Sequence, residues 1–447
     1  MRIGRMIPSL VGGVVIWACA LARAQEPPTP VDPQAFADTI QVEVAKIRGL
    51  PFKRPVKAAV QSPEEFGKYV EKELTNGMPK SLVLHYGKIV RKLGLYRGPE
   101  ITAPLDLMKM VATTQAAAYY DPDKQTFFVL MQDMPELLLG SFYSHELYHG
   151  LQDQYFDLKS YLMEPHKAAS LNADQLLARQ AVVEGEAMYI MTLWGVQRMA
   201  GRLPPRQVVG QALALQSQMD MEAIRTMLKQ PQFASVVGEQ MQSSLDAVDD
   251  IPPFIIETLM GAYLKGANFI FAVEEQGWSE VEKLYKEYPP ASTEQILHPE
   301  KWFAREHPTT ITWPSLRRAQ ALRDWELIDQ NVIGEVQLRH VLKEHGLGAH
   351  SNVAAAGWDG DRYAVLKRKD SDALLLMLYT CWDDEAEATE FADAYRQLLA
   401  VKYPDSSEPT RLEQRGRDVV IVEGGDPGTL DALMALTISA KKTKTKH

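Results

Sequence analysis

Cysteine is scarce in this sequence. Only Cys19 and Cys381 occur among 447 residues. Cys19 lies in an N-terminal stretch that reads as a secretory signal. Arg2 and Arg5 give a basic start, Met6 to Ala20 is apolar, and Ala22-Arg23-Ala24 offers small-x-small cleavage before Gln25. Removing residues 1–24 leaves Cys381 alone, which excludes an internal disulfide, so the exported chain must be held by its core or by a metal. Cys381 ends the apolar run Leu374 to Cys381 and reads as a small buried hydrophobe. A retained anchor helix is the other reading of the N-terminus, and Trp17 sits badly for a lipid anchor on Cys19. Membrane contact is therefore expected only if this segment is kept or lipidated. The expected location is periplasmic or extracellular.

Long apolar runs are also missing. After residue 24 no stretch reaches the ~18 uninterrupted apolar residues of a spanning helix, so the mature chain is expected to be soluble. An excess of positive charge is absent too. The chain carries 48 basic and 58 acidic residues, and loss of Arg2, Arg5 and Arg23 leaves 45 against 58, a balance of −13. Such a surface repels phosphate backbones, which excludes nucleic acid as a partner. No repeat or low-complexity tract interrupts the chain, and its length suits two or three domains.

Helical spacing covers Pro33 to Leu50 and Lys80 to Leu93. Ser62-Pro63-Glu64-Glu65 is a capping box that opens a helix to Leu74. Tyr119 to Leu130 reads as strand, turn, strand around Asp121-Pro122-Asp123. A helix capped by Asp133, with Pro135 just inside it, is expected to run to about Tyr155. A second spans roughly Asn172 to Met199, and mostly helical sequence follows to Tyr288. Ser292 and Gln295 mark a further capping box. After about Gly334 the texture changes to strands at Tyr363–Lys369 and Ala373–Cys381, a helix at Asp384–Val401, a hairpin at Arg411–Glu423 and a last helix at Gly428–Ala440. The expected fold is α+β: a mainly helical domain with a small sheet over residues 25–332, a smaller α+β domain over 333–440, and a frayed basic tail at 441–447.

The helix to Tyr155 carries His145-Glu146-Leu147-Tyr148-His149. On a helix, positions i and i+4 project from one face, so both imidazoles reach one ion while Glu146 is placed beside a water on it. Zinc suits two imidazoles with an oxygen ligand, and it makes water acidic near neutral pH. A third ligand is expected from a neighbouring helix, and Val182-Val183-Glu184-Gly185-Glu186-Ala187 offers two carboxylates in an apolar stretch. Burying either without a cation is costly. A solvent-facing acidic stripe is the plainer reading of the same pair.

These residues resemble the gluzincin clan of zinc metallopeptidases, in which a Glu on the helix after His-Glu-x-x-His completes the site. The Asn-Glu-Gly-x-Ala pattern of its aminopeptidase members aligns Glu184 with that ligand and leaves Glu186 beside it. A closer similarity is to a poorly characterised bacterial and archaeal group of these zincins. It runs through Arg48-Gly49-Leu50, Tyr119-Tyr120-Asp121, His149-Gly150-Leu151-Gln152-Asp153-Gln154 and Ser292 to Trp302, covering roughly residues 40 to 310. The resemblance implies a zincin-like fold and a zinc site made by His145, His149 and Glu184, with Glu146 as general base.

A zinc peptidase also needs a donor for the oxyanion. His298 is the leading candidate, with a helix-capping histidine as the alternative, and Tyr263, Tyr285 and Tyr288 follow unranked. Asp153, four residues after His149, is placed either to receive a ligand N–H or to cap the helix. The strand Phe127–Leu130 is a candidate for holding an extended substrate by strand addition. The function expected is hydrolysis of a peptide or protein substrate. Two alternatives share the same residues: an exported binding or envelope-maintenance protein without proteolytic activity, and a metallohydrolase of a non-peptide bond.

Overall fold

The computed structural model describes residues 31–114, 116–131, 134–164, 170–217 and 250–444. The signal segment, the expected cap Asp133 and the last three residues lie outside them. The fold is α+β with a helical main part and small sheets. Among the described residues no helix is long and apolar enough to cross a membrane. The chain divides into two compact units. The first takes the described residues up to 77, then 105–171 and 176–290, and the second takes 78–104, 172–175 and 291–447.

In the first unit, α1 (Pro33–Arg48) starts where the Asp32 carboxylate accepts from the Ala35 N–H, and it ends at Gly49 in the left-handed region, φ 75°. Its apolar face buries Ala37, Ile40, Val44 and Ile47. The helix Pro63–Gly77 opens with the expected reciprocal cap: Ser62 N–H donates to Glu65 Oε2, and Glu65 N–H donates to Ser62 Oγ. Strands β2 (Ala118–Asp121) and β3 (Thr126–Val129) form the hairpin. Asp121 Oδ1 tightens the turn by accepting from the N–H groups of Asp123 and Lys124.

β1 (Lys57–Val60) pairs in parallel with β3, in the order β1-β3-β2. This corrects the reading of Phe127–Leu130 as a strand free to take substrate, because β3 is flanked on both sides and β2 is an edge instead. Lys-Ala-Ala-Val is too short and too weakly patterned to signal a strand by itself.

Behind the sheet runs α2 (Glu136–Phe156), with Pro135 at its cap rather than inside it. It is buried almost all round, through Leu138, Phe142, Tyr143, Leu147, Tyr148 and Leu151. Helices α3 (Ala173–Ala200), α4 (Pro253–Glu274) and α5 (Trp278–Lys286) complete the surroundings of the site.

The second unit is built on an antiparallel sheet of order β5-β6-β7-β9-β8, from Trp325–Asn331, Trp358–Arg368, Leu374–Trp382, Asp418–Glu423 and Thr410–Arg415. Leu366, Leu375, Met377, Val420, Val422 and Leu433 form part of its core. Helices α6 (Glu335–Leu342), α7 (Glu385–Lys402) and α8 (Pro427–Ile438) accompany it.

Two boundaries differ from the expectation. The unit begins at Ala291 rather than 333 and draws in the helix Lys80–Leu93, because β5 pairs with β6 across the change in texture. The basic tail is ordered through Thr443: β10 (Lys441–Thr443) pairs with β4 (Thr310–Thr312), and Lys442 and Lys444 reach Asp418 and Asp359 at 2.6 and 2.8 Å. Two buried carboxylates supply charges that these amines meet, which a sequence pattern does not register.

Buried acids also tie the start of this unit together. Asp174 accepts from the Thr293 N–H and hydroxyl, and Asp361 accepts from the N–H groups of Ile333 and Gly334. Burial raises Asp174 to about 7 and Asp361 to about 6, against their hydrogen bonds. Each keeps a proton in the folded state that the unfolded chain has lost. The stability they contribute is therefore full below about pH 4 and is lost as pH rises to about 7. Urea unfolding followed through Trp302, Trp358 and Trp382, all buried in this unit, should show that decline. Asp174→Asn should flatten it, recovering about 2 kcal/mol of the pH-dependent part. An unchanged slope would remove Asp174 from the account.

Candidate metal centre

Three donor atoms converge in the first unit. His145 Nε2 and His149 Nε2 are 3.1 Å apart, and Glu184 Oε2 lies 3.3 Å from each. Helix α2 presents the two rings from successive turns at 89° to one another. Glu184 comes from α3. Ligands at about 2.0–2.1 Å around a tetrahedral ion are about 3.3 Å apart, so this spacing suits a zinc-sized cation. Glu146 has a carboxylate oxygen within 4.8 Å of both rings. Its Oε2 accepts from the Tyr120 N–H of strand β2 at 3.0 Å, which fixes the side chain against that edge.

The electrostatics point the same way. Burial would lower His149, but the Glu184 carboxylate overrides it, with help from Glu146, and His149 is held above its ordinary range. Burial would raise Glu184, and the two histidines hold it below the usual carboxylate range instead. The cluster therefore favours positive charge at its centre, either a proton or a metal ion.

The structure separates the two carboxylates of the Glu-Gly-Glu segment. Glu184 faces the histidines, whereas Glu186 is fully buried and paired with Arg48 at 3.0 Å. It also separates the tyrosines. Tyr263, on α4, hydrogen-bonds Glu184, and its ring lies 5.8 Å from that of His145. Burial and the nearby carboxylates of Glu184 and Glu146 keep its phenol protonated far above neutral pH. Tyr285 bonds Glu186, and Tyr288 is exposed.

His298 belongs to the second unit. Its Nε2 lies 3.1 Å from Glu335 and within reach of Arg339. Asp153 takes the capping role: it accepts from the Leu158 N–H beyond the helix end and from the Tyr120 hydroxyl. The partner of His149 is Gln152, whose Oε1 sits 2.7 Å from Nδ1. The sequence reading passed over Gln152, although three residues along a helix is a neighbouring position on the same face.

A second acidic group, Glu306, Asp359 and Asp383, lies in the second unit. Lys301 and Lys444 already neutralise it.

A glycine pair brings the helices close enough for Tyr263 to reach Glu184. A Cβ on Gly185 would sit 2.2 Å from the backbone of Gly266, and one on Gly266 would sit 2.1 Å from Ala181 O. Only glycine permits that approach.

A family model described as a domain of unknown function (DUF8575) matches residues 325–434. That stretch lies in the second unit and does not include the metal-centre residues. No curated protein and no solved structure matches the chain.

Gly266→Ala should cost about 1–3 kcal/mol in urea unfolding, because the clash is with backbone that cannot rotate away. A variant as stable as wild type would show that α3 and α4 can separate freely.

Proposed function

We propose that the chain is a zinc-dependent peptidase. The observation that carries this reading is the convergence of His145, His149 and Glu184 with a general base, Glu146, held beside them. A structural zinc site has no need of a base. A bound zinc would lower the pKa of water at its open position and polarise a carbonyl.

The remaining roles fall to the chain's own groups. The Tyr120 N–H pins Glu146 Oε2. This leaves Oε1 to take a proton from the attacking water and pass it to the leaving amine. Tyr263 supplies a neutral phenol next to Glu184, suited to donate to the developing oxyanion. It takes the place given to His298 in the sequence reading, since His298 is engaged with Glu335. Strand β2 offers its edge to an extended peptide beside the base.

Purified protein should bind one zinc, and His145→Ala, His149→Ala and Glu184→Ala should each lose it. Glu146→Gln should keep the metal and lose hydrolysis of casein or a peptide library, because an amide cannot accept the proton. Tyr263→Phe should lower kcat on the order of 10²-fold at full zinc content, and His298→Ala should change it little. Equal zinc in wild type and the histidine variants would sink the metal site. Equal hydrolysis by wild type and Glu146→Gln would sink the base. A large loss in His298→Ala with none in Tyr263→Phe would reverse the donor assignment.

A further inference from the structure

Behind His149 lies a buried chain of hydrogen bonds whose direction can be worked out from donors and acceptors alone. Glu186 is its anchor. As an ionised carboxylate it can only accept. Its Oε1 accepts from Arg48 Nε at 3.0 Å, and its Oε2 accepts from the Tyr285 hydroxyl at 2.6 Å. Tyr148 bonds it as well, and its own oxygen accepts from Arg48 Nε at 3.0 Å. The Arg48 guanidinium is wholly buried, with the Trp278 ring 4.1 Å away. Neither member of this ion pair reaches solvent, so neither can readily change charge or turn away.

Gln152 is the next link. One end of its amide faces the Val183 carbonyl at 3.0 Å, Glu186 Oε2 at 3.1 Å and the Tyr285 oxygen at 2.8 Å. The first two can only accept, and the Tyr285 hydrogen is already given to Glu186. The end facing them must be the NH2 group. The other end, Oε1, is thereby turned to His149 Nδ1 at 2.7 Å. An amide oxygen only accepts, so Nδ1 must carry the hydrogen. In the neutral ring the lone pair is then on Nε2, the nitrogen that faces His145 and Glu184.

We propose that Glu186, acting through Gln152, sets the tautomer of His149 and so controls the metal affinity of the centre. The two are positioning residues, and the proposal rests on the zinc reading above. It assigns Glu186 a task distinct from that of Glu184, two residues away on the same helix. Glu184 faces the ion, and Glu186 decides which nitrogen of His149 is free to meet it.

Glu186→Gln tests this with almost no change of shape. Arg48 Nε still requires an acceptor, so the new amide turns its oxygen there and its NH2 towards Gln152. Two NH2 groups then oppose each other, and a flip of Gln152 would instead set its oxygen against the Val183 carbonyl. Either outcome weakens the bond that holds the hydrogen on Nδ1. Gln152→Met removes the link directly and keeps the volume, which covers the case in which Glu186→Gln folds poorly.

Two measurements apply to the full chain. In metal-free protein, nitrogen NMR of the His149 ring should show a single Nδ1–H tautomer in wild type and a mixture in either variant. Titration with zinc alone against a chromophoric chelator should give about 10- to 100-fold weaker binding in each. The double variant should bind no more weakly than Gln152→Met, because both changes break one pathway. His145→Ala is the separate control for the metal site. If it binds zinc as well as wild type does, the zinc reading fails. If it loses zinc while Glu186→Gln and Gln152→Met bind like wild type with the Nδ1–H tautomer intact, the relay alone is overturned. Additive losses in the double variant would also overturn it.

Discussion

An ionised carboxylate in an apolar interior requires a cation, and helix α3 carries two such carboxylates within three residues. The rest of the first unit is arranged around that requirement. Glu186 is answered by Arg48, brought in from the end of α1 and covered by Trp278. Glu184 is answered by the imidazoles of α2, which it holds in a form that favours positive charge. Burial penalises each group separately, so the energy lies in the pairings and not in any one residue.

The two solutions differ in kind. The Arg48 pair is closed: its partners are protein groups, and Tyr148, Tyr285 and Gln152 take up the remaining lone pairs of Glu186. The Glu184 cluster contains two rings that titrate or bind metal, and it borders both a phenol and the edge of a strand. A rigid closed pair next to a responsive cluster is a sound arrangement for a reactive centre, because the closed pair fixes the geometry that the responsive one uses. The packing of Gly185 on Gly266 serves the same end by setting α3 and α4 at backbone contact.

Much of this was legible in the sequence, and the limits are instructive. The i, i+4 histidines and the capping boxes at Ser62 and Ser292 are local patterns, and local patterns survive into the structure because the helix that displays them also determines their spacing. The hairpin at Asp121 is of the same kind. Gln152 obeys the same helical geometry and could have been read as the partner of His149. Its amide, however, is informative only once Val183, Glu186 and Tyr285 are known to face its other end. The pairing of β1 with β3, the early start of the second unit and the ordering of Lys441–Thr443 were illegible for another reason. Each depends on a partner far along the chain, and short strands of mixed composition carry no periodic signal.

The sequence by itself determined the α+β class, the helix that carries His145, Glu146 and His149, and the presence of two carboxylates on one later helical segment. These follow from spacing along a helix, which is the same wherever that helix is placed. Tertiary structure alone decided that Glu184 faces the histidines while Glu186 faces Arg48, and that Tyr263 rather than Tyr285 or Tyr288 stands at Glu184. Two residues along a helix are about 200° apart around its axis, so the segment must send its two carboxylates in nearly opposite directions. Which direction meets which partner is set by the rotation of α3 against α2 and α4, and that rotation is fixed by packing rather than by any local pattern.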